Sequence, residues 1–151
     1  MVYFNTNELT GLHLKRKKLR SWIQLKSPIA NRVDTIFVHV TDLEKAVRWY
    51  SQLLGVEVRR NIQAPIYTFD MGAGRPGLTL DNHCFDANYV HKPSEQPLFN
   101  LSTRDILVAY QFVKEMGADG VTEIQTFPDL SEFTFKDPDG NIIMNCNCFS
   151  N

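Results

Sequence analysis

Two stretches of this chain repeat the same pattern of apolar and polar residues, 63 positions apart. In each stretch apolar residues recur at intervals of three and four, which is the spacing of one face of an α-helix. An aspartate precedes each stretch (Asp42, Asp105), and a glycine follows it (Gly55, Gly117). The pattern therefore predicts two equivalent helices. The paired apolar positions are Leu43 and Ile106, Ala46 and Ala109, Val47 and Tyr110, Tyr50 and Val113, and Leu53 and Met116.

Residues at the ends of these stretches predict where the helices begin and end. Thr41 is followed three residues later by Glu44, which fits a capping box at the start of the first helix. Glycine readily adopts the left-handed conformation that ends a helix, so Gly55 and Gly117 mark the two ends.

Runs rich in β-branched and aromatic residues flank both helices and predict β-strands. Residues 35–40 form such a run before the first helix, and residues 98–102 form one before the second. The segment Asp137–Asn141 predicts a hairpin turn, because Pro138 fixes φ and Gly140 accepts a positive φ. The other predicted strands cover residues 56–60, 66–71, 78–80, 121–124, 132–136 and 142–147.

The chain therefore contains a β-α-β-β-β unit twice, in modules of about 31–81 and 97–148 that an irregular segment, 82–96, joins. This order predicts an α+β domain in residues 31–151, preceded by an N-terminal extension, 1–30. Two such modules can form a curved mixed sheet around a cavity, with the helices on the outer face.

Charge is distributed unevenly along the chain, although the net charge is −1. Residues 1–30 carry a charge of +5 and the remainder carries −6. We interpret the basic run at 15–20 as a solvated extension, because no nucleic-acid-binding module surrounds it. We therefore expect no nucleic-acid partner. The alternative, contact between residues 1–30 and an acidic partner, predicts binding that weakens steeply with salt.

The composition is that of a globular protein, with 43% apolar and 22% charged residues. No apolar run approaches the ~20 residues that span a bilayer, and the first residues do not form a secretory signal. Three cysteines without a C-x-x-C pair fit a reducing compartment, so we expect a cytoplasmic protein without a membrane partner. They are Cys84, Cys146 and Cys148, and Cys146 is expected to be a buried small apolar residue.

Three segments together resemble the vicinal-oxygen-chelate superfamily, which contains glyoxalases, bleomycin-resistance proteins and ring-cleaving dioxygenases. The segments are Val38–Tyr50, Leu53–Gly55 and Phe135–Ile143, and the likeness covers residues 32–147. The resemblance implies paired modules, a sheet cavity that takes a small molecule, and assembly as a homodimer.

The resemblance also implies where a divalent metal would lie, since the superfamily's enzymes bind it through one His or Glu on each of four strands. The corresponding positions here are Thr35, Thr79, Leu98 and Met144. Hydroxyl, isobutyl and thioether groups are poor ligands for zinc or iron(II), so we expect no metal and no other cofactor there. A divalent metal would need an altered ligand set, such as Asp81 and His39.

Strand alternation predicts which side chains line the cavity. His39 shares a face with Thr35 and Phe37, and is either a proton carrier in the pocket or a strand-end histidine bonded to a neighbour. The predicted ligand pocket consists of Thr35, Phe37, His39, Thr79, Asp81, Leu98, Asn100 and Met144. His83, Cys84 and His91 in the joining segment have poor spacing for a metal site and are interpreted as ordinary loop residues.

These patterns leave two classes of function open. The first is a binding protein for a small organic molecule that works without the usual metal. The second is an enzyme, either a glyoxalase-like lyase or a ring-cleaving dioxygenase. Such an enzyme would use an altered metal site or metal-free acid–base chemistry at His39. Fold alone does not decide between them, and no catalytic residue is assigned.

Overall fold

The computed structural model describes residues 27–58, 61–63 and 65–148, and these contain two helices and seven strands. They belong to one compact unit, Val33–Asn151, apart from the short segment 27–32. Most of the predicted basic extension lies outside the described residues. The first module consists of β1 (Thr35–His39), α1 (Leu43–Leu54), β2 (Ile66–Phe69) and β3 (Gly77–Asp81). The second consists of β4 (Asn100–Ser102), α2 (Ile106–Glu115), β5 (Gln125–Thr126), β6 (Leu130–Lys136) and β7 (Ile142–Cys148).

Each module forms its own mixed sheet. In the first sheet the order is β1-β3-β2, with β1 parallel and β2 antiparallel to β3. In the second sheet the order is β4-β7-β6-β5, with β4 parallel to β7 and the other neighbours antiparallel. The predicted α+β arrangement of paired modules is confirmed. No helix in the described part of the chain is long and apolar enough to cross a membrane.

One face of each sheet is buried in the apolar core. In the first sheet Val38 and Leu80 have no exposed surface and pack with the apolar side of α1. In the second sheet Phe133 is buried, and its ring meets that of Tyr110 on α2 edge to face at 5.3 Å. Because side chains alternate along a strand, the other residues point to the opposite side. We call that side of each sheet its open face.

The predicted start of α1 is wrong in one respect, because Asp42 and not Thr41 is its N-cap. The Asp42 carboxylate accepts a hydrogen bond from the N–H of Lys45 at 3.0 Å, which satisfies one of the free N–H groups of the first turn. The N–H that Thr41 would offer to Glu44 in a capping box is donated instead to the carboxylate of Asp139 in the second module, to which the Thr41 hydroxyl also donates. Asp105 caps α2 in the same way as Asp42 caps α1.

The predicted helix ends are confirmed. Gly55 and Gly117 have φ values of 65° and 71°, in the left-handed region that an added Cβ disfavours.

Two predicted strands, at 56–60 and 121–124, are not strands in the described residues. After α1 the N–H of Val56 donates to a carbonyl in the last turn of the helix at 3.0 Å. This N–H is therefore not available to pair with a neighbouring strand. In the second module the hydroxyl of Thr122 accepts the N–H of Thr134 at 2.9 Å, where a strand would offer a carbonyl. Local hydrogen bonds thus replace part of the predicted pairing.

A buried carboxylate in the turn between β6 and β7 joins the two modules. Asp137 is 3% exposed, and its Oδ2 accepts hydrogen bonds from the Tyr50 hydroxyl of α1 and from Asn141 Nδ2, both at 2.9 Å. Its Oδ1 accepts the N–H groups of Asp139 and Asn141 at 2.9 and 2.8 Å. These hydrogen bonds satisfy a charge that would be costly to bury alone.

The same turn contacts the first module at two further points. Asn141 Nδ2 also donates to the carbonyl of His39 at 2.9 Å, and Asp139 Oδ1 accepts the N–H of Thr41 at 2.7 Å. Gly140 has the positive φ, 85°, that the predicted hairpin needs. The turn 137–141 therefore fixes the end of β1 and the start of α1 against the second module.

Asp137→Asn is expected to lower the free energy of unfolding by about 2–4 kcal/mol. The NH₂ group of the new amide would face N–H or O–H groups that donate to the carboxylate in the wild type, and it would have no acceptor in this buried site. Denaturant unfolding measures this change. The matched control, Asp129→Asn, alters an exposed carboxylate and is expected to change stability by less than about 0.5 kcal/mol. Equal effects of the two substitutions would contradict the role assigned to Asp137.

Stability is also expected to fall at high pH through Tyr50. Burial, and after it the Asp137 carboxylate, raises the pKa of the Tyr50 phenol far above its ordinary value. The unfolded chain loses this proton near pH ~10 while the folded chain keeps it, so the contribution is complete below that pH and is lost above it. Between about pH 10 and 11 the unfolding free energy should fall about 1 kcal/mol further in the wild type than in Tyr50→Phe, and above that range the difference in slope approaches about 1.4 kcal/mol per unit. Equal slopes in the wild type and in Tyr50→Phe would show that the Tyr50 phenol has the same pKa in the folded and the unfolded chain.

Candidate functional site

The open face of the first sheet brings together most of the predicted pocket residues. Thr35, Phe37 and His39 alternate along β1, and the cross-strand pairs of Phe37 with Thr79 and His39 with Asp81 add two residues of β3 to the same face. Phe37 is 51% exposed, whereas Thr79 and Asp81 are buried. An exposed aromatic ring therefore stands beside a polar floor.

Hydrogen bonds between threonines form that floor. Thr35 Oγ1 donates to the carbonyl of Gly77 at 3.1 Å, so it accepts from Thr79 Oγ1, which lies 2.9 Å away. Thr79 in turn accepts from Thr68 Oγ1 at 2.8 Å. Hydroxyls that are already bonded to one another and carry no charge do not fit a divalent ion. Thr35 and Thr79 thus bind each other at two of the four positions that the family resemblance assigns to metal ligands.

The remaining predicted residues lie on the second sheet. Asn100 pairs with Met144 across β4 and β7, and its Nδ2 donates to the sulfur of Cys146 at 3.2 Å. Cys146 is buried, as expected. Leu98 precedes β4, is 41% exposed, and donates its N–H to the carbonyl of Ile142. Across the ranges that the structure describes, no hydrogen bond joins Leu98, Asn100 or Met144 to the predicted residues of the first sheet. The isobutyl group of Leu98 has no donor atom, and the thioether of Met144 is a poor ligand for zinc or iron(II).

A second group of side chains lies where β1 and β3 end together. His39 is the last residue of β1, Asp81 is the last residue of β3, and His83 follows it closely in the joining segment. Ligand atoms of these three residues all lie within 4.8 Å of one another. The linear spacing of His83, Cys84 and His91 did not predict this group, because its partners come from the strand ends. The usable signal was the parallel register, which pairs His39 with Asp81.

The backbone at His83 turns its ring back toward the strands. Its φ is 50°, an uncommon value for a residue with a Cβ, and its N–H donates to Asp81 Oδ1 at 2.8 Å. The ring stacks on Tyr89 with centroids 4.1 Å apart and lies 4.4 Å from the ring of His39. His83 is thus positioned by backbone, carboxylate and aromatic contacts at once.

Two ring nitrogens of this group, His39 Nδ1 and His83 Nε2, are buried and have no hydrogen-bond partner among the residues described. Buried polar atoms are nearly always satisfied, so such a pair requires an explanation. Burial, and after it the neighbouring His83 ring, lowers the pKa of His39, against the opposing effect of Asp81. A lowered pKa favours the neutral imidazole, which has a free lone pair.

A cavity of about 780 Å³ lies between the two helices and β4. Among the predicted pocket residues, Asn100 alone lines it. Its walls include Leu53, Met71, Leu101 and Phe112, with Asp70 and Arg75 as charged groups. Apart from Asn100, this cavity is therefore separate from the predicted pocket residues.

Comparison with known proteins identifies the fold family. The model described as Glyoxalase/Bleomycin resistance protein/Dioxygenase superfamily matches residues 32–144. The chain belongs to this superfamily, as its motifs predicted. No protein with a curated description matches the chain significantly.

Solved structures agree with this assignment. A superfamily member from Sphaerobacter thermophilus DSM 20745 is 26% identical with a TM-score of 0.62, and the match covers 79% of this chain and 98% of that one. An antibiotic binding protein from Streptomyces sp. CB03234 is 21% identical with a TM-score of 0.63, covering 82% of this chain and 99% of its own. A hypothetical protein from S. aureus is 23% identical with a TM-score of 0.60, covering 80% and 95%. At such low identity the last two show the fold alone.

Proposed function

We propose that this protein binds a small organic molecule on the open face of its first sheet, without a metal at the four positions used by the superfamily's enzymes. The observation that carries the proposal is Phe37, an aromatic side chain that is 51% exposed on a sheet face facing away from the helix. An exposed apolar surface bordered by polar groups is typical of a ligand site.

The surroundings of Phe37 support an organic ligand of mixed character. Ile66, which pairs with Asp81 on the neighbouring strand, adds a second apolar side chain that is 47% exposed. Beside them the linked hydroxyls of Thr79 and Thr68 and the carboxylate of Asp81 offer polar contacts. Apolar burial would supply affinity, and these few polar groups would orient the ligand.

The antibiotic binding protein from Streptomyces sp. CB03234 supports the same class of function, because it has this fold with a TM-score of 0.63. The likeness is one of fold, so the ligand of this chain has to be found by experiment.

Bleomycin, tested together with a panel of aromatic antibiotics, is the first set of probes, and calorimetry with the full chain measures binding. Phe37→Ala is expected to weaken binding about tenfold or more, because removing a buried aromatic contact costs about 1.5–3 kcal/mol. Met71→Ala, which alters the wall of the cavity between the helices, is the matched control and should leave the affinity unchanged. The reverse pattern would move the ligand to that cavity, and no saturable binding of any probe would count against the function.

A chelator separates this proposal from the enzymatic alternative. Binding to the open face needs no metal at Thr35 or Thr79, so the affinity for an antibiotic probe should be the same with and without EDTA. A lyase or ring-cleaving dioxygenase with an altered metal site would instead turn over a hemithioacetal or a catechol, and EDTA would abolish that turnover.

We also infer that the protein forms a homodimer through α2. Whereas α1 buries four residues, α2 fully buries only Val113, and its Leu107 and Val108 are 68% and 66% exposed. Self-complementary apolar patches of this kind are typical of symmetric dimers.

Leu107→Glu is expected to convert the dimer to a monomer, because two buried carboxylates would face each other across the symmetric contact. Sedimentation velocity measures the change. Gln52→Glu on the exposed side of α1 introduces the same charge and should leave the dimer intact. A wild-type chain that sediments as a monomer at high concentration would exclude the dimer.

A further inference from the structure

We propose that His39, Asp81 and His83 bind one divalent transition-metal ion, such as Zn²⁺, where β1 and β3 end. This site is distinct from the superfamily's metal positions. His39 is four residues beyond Thr35, or about 13 Å along the strand at ~3.3 Å per residue, and Asp81 is about 7 Å beyond Thr79. The inference does not depend on the organic ligand proposed above.

The ligand types fit the ion. Two imidazoles and one carboxylate form a recurring set for zinc and for non-haem iron, with the remaining positions left to water or substrate. The three ligand atoms already lie within 4.8 Å of one another. Ligands bound to a tetrahedral zinc at about 2.0–2.1 Å are about 3.3 Å apart. His83 Nε2 and Asp81 Oδ2 are separated by 3.6 Å, so this pair needs a shift of only a few tenths of an ångström. The pairs that include His39 need a shift of at most about 1.5 Å.

The hydrogen bonding of the group leaves the metal-facing atoms free. At 3.6 Å the contact between His83 Nε2 and Asp81 Oδ2 is too long to be a hydrogen bond, and His39 Nδ1 also lacks a partner in the described residues. An ion shared by these atoms would satisfy the two buried nitrogens together.

The surrounding residues hold the ligands in place. The other oxygen of Asp81 accepts the N–H of His83, which orients the carboxylate, and the carbonyl of His39 accepts from Asn141. The rings of Tyr89 and Phe85 lie 4.1 and 5.1 Å from the His83 ring. Such supporting contacts are a regular part of metal sites, because they fix ligand orientation before the ion arrives.

An ion can reach the group from solvent. The side chains of His83 and Asp81 keep 21% and 10% of their surface exposed. The site is therefore partly shielded from solvent but not closed.

Zinc titration of the chelator-treated full-length chain tests the proposal. Calorimetry is expected to show one ion per chain, and NMR of the imidazole rings should show the signals of His39 and His83 shifting together. Absence of saturable one-to-one binding, or shifts confined to other histidines, would overturn the site.

Substitutions then locate the ion. Asp81→Asn and His83→Gln are each expected to weaken zinc binding at least about 100-fold, more than the loss of a supporting contact usually costs. Asp70→Asn is the matched control, because Asp70 makes the same kind of turn, with Oδ1 accepting the N–H of Gly72 at 2.9 Å. Cys84→Ser tests whether the thiol next to His83 is a ligand. Both controls should bind zinc as the wild type does.

Circular dichroism of each metal-free variant separates lost binding from lost folding. If His83→Gln does not fold, Asp81→Asn decides, because its amide oxygen can still accept the N–H of His83. Unchanged zinc affinity in folded Asp81→Asn would overturn the proposal. If the zinc site proves wrong, the antibiotic titrations in EDTA still test the binding of an organic ligand. If no antibiotic binds, the zinc titrations still test the metal site.

Discussion

The carboxylate of Asp137 is the interaction on which the arrangement of the two modules depends. It is buried, and it accepts hydrogen bonds from its own turn and from the Tyr50 hydroxyl on the helix of the other module. A buried charge is tolerated only when such partners are all in place, so the modules can pack in few ways. Asp139 and Asn141 extend the connection to the start of α1 and the end of β1. The Asp137–Asn141 motif is therefore specific for the fold because its polar groups hold the first module as well as closing a hairpin.

Those features of the fold that depend on local periodicity could be predicted from the sequence. Helical spacing predicted α1 and α2, and glycine chemistry predicted their ends at Gly55 and Gly117. Strand alternation predicted the face shared by Thr35 and Phe37. The errors arose where a residue distant in the sequence determines the local hydrogen bonds. Thr41 does not cap α1 because Asp139, from the other module, takes its hydrogen bonds.

The candidate site follows the same division. The family resemblance indicated Thr35 and Thr79 as metal positions, and their hydroxyls bond to each other. That no metal binds there stays a prediction. His39 and Asp81 were named from the sequence as an altered ligand set, but His83 was not, because it reaches the strand ends through a left-handed backbone turn and a stack on Tyr89. Spacing along the chain carries no information about either contact. A pair of strand-end residues in parallel register, followed by a further histidine, is the signal to look for.

Membership of the superfamily fixes the scaffold of β1 and β3 but not the point along these strands at which chemistry occurs. Near their start, the hydroxyls of Thr35 and Thr79 bond to each other and carry no charge, which fits a divalent ion poorly. At their end, two imidazoles and a carboxylate converge with nitrogens that have no partner among the described residues. Phe37 pairs with Thr79 between these two points, so an organic ligand over its ring would lie beside the His39 group. The ion and the organic ligand proposed above would therefore occupy neighbouring stretches of one strand pair, which the helices and the Asp137 connection hold in place.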